Sequence, residues 1–276
     1  MKDFNRFKNK IQSFNISKIE PSIKKSNIYI FFLGHGSNEI GTTAEFIYIV
    51  DLFKILHPCT ETGFWLLEFG KIPLKTSFNF RFDINIIVPM MIFSSKHIKN
   101  DVCILCNYLQ SLLKKKIIIM IKNPCSNLLN IKLICKFLDR CKANKNFKTS
   151  TSTLVLAFRG GSDIQSNSQA YLLSRLLWEG IGFGYCEILF IGVTFPLLNS
   201  IQTLKFSSNI IIIPLLLFYG NLYKQININF KHHIITCYIF NHIHSVLTLF
   251  RIIKNLFNEY NYNNCILCKH RFLSMI

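Results

Sequence analysis

The sequence predicts an α/β protein of two similar lobes, each a small parallel sheet flanked by helices. Two observations carry this expectation: a repeat at a spacing of 125 residues, and short continuous apolar runs that alternate with helical patterns. In the repeat, Phe32-Leu33-Gly34-His35-Gly36-Ser37-Asn38 aligns with Ala157-Phe158-Arg159-Gly160-Gly161-Ser162-Asp163. At the same offset, Val88-Pro89-Met90-Met91-Ile92-Phe93 aligns with Ile213-Pro214-Leu215-Leu216-Leu217-Phe218. Two motifs that share one spacing point to a duplicated lobe.

Taken in order, residues 1–26 form a polar, basic extension. The runs 28–33, 84–93 and 116–121, then 154–158, 187–193 and 210–218, are rich in Ile, Val and Phe. Strands buried on both faces read this way, and parallel sheets covered by helices make such strands. Helical patterns lie between and after them at 42–56, 101–115, 166–180 and 246–258. The stretch 142–153, rich in Lys, Asn, Ser and Thr, reads as a linker. The expected division is 1–26 extension, 27–145 first lobe, 146–258 second lobe and 259–276 a cysteine-containing tail.

Composition narrows the class. Half of the 276 residues are hydrophobic and 26 are Phe, enough to build packed cores and to exclude general disorder. The net charge is +18, with 23 basic and 10 acidic residues up to position 150 and 9 and 4 after it. That excess reads either as attraction to an anionic partner or as drift in a chain rich in Ile, Asn, Lys and Phe. The basic clusters match no zinc finger, basic zipper or other named nucleic-acid module, so no nucleic-acid partner is expected. Residues 1–26 carry no secretory signal, and Pro196, Pro214 and several Asn and Ser interrupt the long uncharged stretches 188–204 and 206–223. No membrane partner is expected. Ten cysteines without an export signal argue for reduced thiols or metal ligands and a cytoplasmic location.

In parallel α/β sheets, ligands sit beyond the C-terminal ends of the strands. His35 follows the first run inside Gly34-His35-Gly36-Ser37, where the glycines permit a tight turn. His97 follows the run 84–93, and Glu68 closes Gly63-Phe64-Trp65-Leu66-Leu67-Glu68. Two imidazoles can share a divalent transition metal, and the carboxylate can ligate it or accept protons. Taken singly, His35 also reads as a turn histidine and Glu68 as a solvated carboxylate. The repeat offers an internal control: the second lobe has Gly160 for His35, Leu222 for His97 and, allowing a one-residue gap, Gly192 for Glu68. The candidate groups thus fall in one lobe while the scaffold motifs occur in both.

These motifs resemble those of the sirohydrochlorin cobaltochelatases, the class II chelatases, in their long two-lobe form. The stretches are Leu33 to Ser37, Gly63 to Gly70 and Val88 to Asp101 in the first lobe. In the second they are Arg159 to Asp163, Leu177 to Gly184 and Gly192 to Pro196, followed by Cys265-Ile266-Leu267-Cys268-Lys269-His270-Arg271. The resemblance implies a chelatase-like fold with a cleft between the lobes and insertion of Co²⁺ into sirohydrochlorin, a step of cobalamin biosynthesis. It implies His35 and His97 as metal ligands, and His35 or Glu68 as the group that takes the displaced protons. Lys96, Lys99 and Arg159 are candidates to pair with the substrate's carboxylates. Cys265 and Cys268 match a tail that carries an iron–sulfur centre in some long forms; zinc and a bare thiol pair are the alternatives, and two thiolates need further ligands, for example from a homodimer. No nucleotide motif of the Gly-rich, Lys-Ser/Thr kind is present, consistent with ATP-independent insertion. Other readings are Fe²⁺ insertion for sirohaem and a non-catalytic protein that binds metal or tetrapyrrole. The Cys103–Cys106 pair, spaced to share one helix face, reads as structural.

Overall fold

Branched and aromatic side chains pack well on a pleated surface, and in the computed structural model the first such run is strand β1, Ile28–Gly34, buried throughout. The structure describes residues 28–58, 60–68, 78–79, 81–93, 96–112, 117–120, 134–135, 138–139, 147–198, 209–236, 238–241 and 243–258. They fall into two units, one of Met1–Met91, Lys96–Cys125 and Val246–Ile276, the other of Ile92–Ser95 and Ser126–Ser245.

In the first unit, β1 pairs in parallel with β2 (Glu61–Leu66) on one side and β3 (Ile84–Met90) on the other, with β4 (Ile117–Met120) beyond β3. The order is therefore β2-β1-β3-β4. Alternation along β1 sends its side chains to opposite faces. Phe31 and Leu33 join Ile87 and the Leu105, Cys106 and Leu109 of helix α2 (Cys103–Leu112) in one core. Phe32 packs edge-on against Phe53 of helix α1 (Ile40–Leu56), with ring centroids 5.2 Å apart. Phe53 in turn meets Phe250 of the late helix α5 (Ile243–Asn258) at 5.1 Å. Each such buried Phe contributes about 1.5–3 kcal/mol. Between β3 and α2 the chain makes a π-helical turn, His97–Val102, whose Ile98 and Val102 enter the α2 core.

The second unit repeats the order. β5 (Ser152–Phe158) lies between β6 (Tyr185–Phe190) and β7 (Asn209–Pro214), and the short β8 (Ile234–Ile235) pairs with β7. All pairings are parallel, in the order β6-β5-β7-β8. Helix α3 (Ile164–Ile181) is capped at its start by the Asp163 side chain, which accepts from the Ser166 N–H at 3.0 Å, and ends at Gly182 with φ 75°. Helix α4 (Asn221–Asn229) contributes Ile226, which with Phe230 packs on Val155, Ala157 and Ile212.

The α/β class, parallel sheets and flanking helices match the sequence reading. Several details differ. Strand β7 stops at Pro214 rather than continuing to 218, and the expected helix 101–115 is a π-helical turn followed by α2. Strand β2 and helix α4 were not anticipated. β2 is mostly half-exposed and contains Gly63, and α4 is largely polar, so neither shows a continuous apolar run. Of the expected linker 142–153, residues 142–146 lie outside the described residues, and Ser152 and Thr153 already belong to β5. Among the described residues no helix is long and apolar enough to cross a membrane.

Candidate metal centre

The order β2-β1-β3-β4 reverses direction at β1, and at such a switch point the C-terminal strand ends open a crevice suited to ligands. His35 stands immediately after β1. Its carbonyl accepts the Glu68 N–H at 2.8 Å, and the Gly34 carbonyl accepts that of Leu67 at 3.0 Å, so the β1–β2 ladder continues until His35 and Glu68 are neighbours. Gly36 makes this approach possible. Its φ is +94°, and a Cβ there would sit 1.8 Å from the Glu68 carbonyl oxygen. His97 opens the π-helical turn after β3.

These three residues converge. One ligand atom from each of His35, Glu68 and His97 lies within 4.8 Å of the others. Glu68 sits between the imidazoles, with Oε2 3.8 Å from His35 Nδ1 and Oε1 3.8 Å from His97 Nε2. The rings meet nearly at right angles, at 84°, with centroids 4.6 Å apart. Two imidazoles and a carboxylate suit a divalent transition metal, and the carboxylate's charge adds to the attraction for a cation. The cluster keeps access to solvent: side-chain exposure is 18% for His35, 33% for His97 and 43% for Glu68. Asp101, which the sequence reading did not single out, holds Oδ2 2.6 Å from His97 Nδ1. The four-residue spacing of His97 and Asp101 was the available signal, but the predicted helix began only at 101 and left His97 outside it.

The other sequence candidates lie as follows. Lys96 is exposed and Lys99 half-buried on the turn that carries His97. Arg159 is exposed in the second unit. Cys265 and Cys268 lie outside the described residues. Cys103 and Cys106 are buried in the α2 core, with Cys103 Sγ donating to the Ile98 carbonyl at 3.5 Å, which fits the structural reading.

The internal control needs one correction. β1, α1 and β2 correspond to β5, α3 and β6 at an offset of 124, whereas β3 corresponds to β7 at 125. The counterpart of His35 is therefore Arg159, not Gly160. Gly160 is the counterpart of Gly36: its φ is +76°, and a Cβ on it would meet the Gly192 carbonyl oxygen at 2.4 Å. The Arg159 carbonyl accepts the Gly192 N–H at 3.1 Å, as that of His35 accepts the Glu68 N–H. The extra residue of the second lobe falls between β6 and β7, and the glycine-rich turn gave the sequence no marker for it. The second lobe thus places a cationic residue where the first has a metal-ligand type, and no carboxylate opposite it.

Comparison with known proteins agrees with this architecture. Residues 153–245 match the family model described as CbiX. A sirohydrochlorin cobaltochelatase of Priestia megaterium is 37% identical over 91 residues, 31% of this chain and 29% of that protein. The match therefore spans less than a third of the curated relative. SirB from Bacillus subtilis, solved with Fe³⁺, superposes with a TM-score of 0.67 at 17% identity, covering 83% of this chain and 94% of that one. The sirohydrochlorin chelatase SirB from Bacillus subtilis subspecies spizizenii, in complex with cobalt, gives 0.65 at 15% identity, covering 86% and 97%. The chain has the two-sheet scaffold of the class II chelatases. Residues 153–245, about a third of the chain, match the CbiX family model, and the chain shares its fold with solved chelatases.

Proposed function

We propose that this protein inserts a divalent metal ion, Co²⁺, into sirohydrochlorin. The observation that carries the reading is the convergence of His35, Glu68 and His97 within 4.8 Å at the strand ends of a chelatase scaffold. Two neutral imidazole nitrogens hold the ion beside the macrocycle plane. As the ion enters, two pyrrole N–H protons leave, so one M²⁺ exchanges for two H⁺ and charge balances. Glu68, an acceptor when ionised and 3.8 Å from both rings, takes a proton, with His35 as the second acceptor once it has released the metal. Arg159, Lys96 and Lys99 pair with the carboxylates at the macrocycle's rim. Cobalt is favoured by the name of the curated relative. Iron is the second reading, favoured by relatives solved with Fe³⁺ and described for sirohaem synthesis. The tail thiols Cys265 and Cys268 belong to the proposal as ligands of an iron–sulfur or zinc centre.

The test is a paired insertion assay. Purified protein with sirohydrochlorin and Co²⁺ or Fe²⁺ should convert the macrocycle's absorption spectrum to the metallated form faster than the uncatalysed control. No acceleration with either ion contradicts the enzyme reading, and the ratio of the two rates ranks the metals.

A further inference from the structure

We propose that Asp101 is a positioning residue for the metal centre: it fixes His97 as the Nδ1–H tautomer and so presents the Nε2 lone pair to the ion. The proposal rests on the reading of His35, Glu68 and His97 as metal ligands. An ionised carboxylate can only accept, so the 2.6 Å contact between His97 Nδ1 and Asp101 Oδ2 requires the proton on Nδ1. The opposite nitrogen, Nε2, is the one that faces Glu68 at 3.8 Å, on the side where the other ligand atoms gather. Asp101 is not among the three residues whose ligand atoms converge; it acts through His97.

The local structure explains why such a residue is needed. Ile98 and Val102 anchor the inner face of the π-helical turn in the core, whereas His97 is one-third exposed and its ring meets His35 edge-on. An edge-on ring contact does not choose between the two ring nitrogens as the protonated one, and the hydrogen bond to Asp101 does. π-Helical turns are rare and recur at functional sites, and this one brings positions 97 and 101 into register outside the core. The competing explanation, a surface His–Asp pair that merely supports the helix, predicts almost no effect on metal binding.

The experiment titrates Co²⁺ alone into the full-length protein, followed by its visible absorption, for the wild type and for Asp101→Ala, Asp101→Asn and His97→Ala. Asp101→Ala should weaken Co²⁺ binding by about 10- to 100-fold, the range seen when second-layer partners of ligating histidines are removed. Asp101→Asn keeps an acceptor for Nδ1–H and should recover most of that loss, with thermal midpoints unchanged. In the wild type, imidazole ¹⁵N spectra should show His97 as the Nδ1–H tautomer, a readout that stands even if Asp101→Ala does not fold. Wild-type affinity in Asp101→Ala, an Asn variant as weak as the Ala variant, or an Nε2–H tautomer each overturns the proposal. If His97→Ala loses Co²⁺ while Asp101→Ala keeps it, the positioning role fails and the metal site stands. If His97→Ala also binds Co²⁺ normally, both fail.

Discussion

Glu68 donates its backbone N–H to the carbonyl of His35 at 2.8 Å, beyond the last residue of β2. The two candidate ligand side chains are thus held together by the main chain, and the ladder that builds the sheet also builds the cluster. This arrangement depends on Gly36, whose missing Cβ leaves room for the Glu68 carbonyl. Gly36→Ala should destabilise the chain by about 1–3 kcal/mol from left-handed strain alone, with a further cost from the clash, and should weaken metal binding. Gly41→Ala is the control: a Cβ there meets nothing within 4 Å in helix α1, and it should be neutral or stabilising by up to about 1 kcal/mol. Denaturant unfolding of both variants checks the contrast.

Removing the charge of Glu68 while keeping its shape separates proton transfer from metal capture. Glu68→Gln should lower the rate of metal insertion by about 10²- to 10⁴-fold at saturating metal, the usual contribution of a positioned base, while Co²⁺ affinity falls much less. Equal losses in both quantities would assign Glu68 to metal holding alone.

Arg159 stands at the backbone position of His35 in the duplicated lobe, opposite Gly192 where the first lobe has Glu68. A guanidinium there suits a carboxylate ligand and repels a metal cation. Arg159→Ala should raise the KM for sirohydrochlorin by about 3- to 10-fold, an exposed charge-assisted contact, and leave Co²⁺ affinity unchanged. Arg159→His should create no second metal site, because Gly192 and Leu222 supply no further ligands. Steady-state kinetics and the metal-to-protein ratio test both statements.

How much of this was legible beforehand varies with the physics. The strands β1, β3 and β5 declared themselves through runs dominated by apolar residues, because burial on both faces demands it. β2 did not, since an edge strand with Thr62 and Gly63 has no such demand. His35, Glu68 and His97 were readable because strand ends attract chemistry. The pairing of His35 with Arg159 was not, because aligning Gly34-His35-Gly36-Ser37 with Arg159-Gly160-Gly161-Ser162 matches two letters and hides the insertion between β6 and β7. Backbone φ at Gly36 and Gly160 reveals it.

Cys186 lies in β6, where burial, with the neighbouring Glu187 charge, pushes its thiol up to about 12. A thiol raised in this way is protonated at neutral pH and reacts slowly. Its folded-state value exceeds the unfolded one, so its contribution to stability is complete below the unfolded thiol's range and is lost as pH rises towards 12. In peptide mapping at pH 8, Cys186 should resist iodoacetamide in the native chain and label on unfolding. Rapid native labelling would contradict this account of its surroundings.

The central claim is that His35 and His97 together deliver the metal to the macrocycle. The most direct measurement is the Co²⁺ insertion rate into sirohydrochlorin for the wild type, His35→Ala and His97→Ala, with folding verified by thermal melts. Each variant should lose most of the rate acceleration while remaining folded. A folded variant of either histidine that inserts Co²⁺ at the wild-type rate would contradict it.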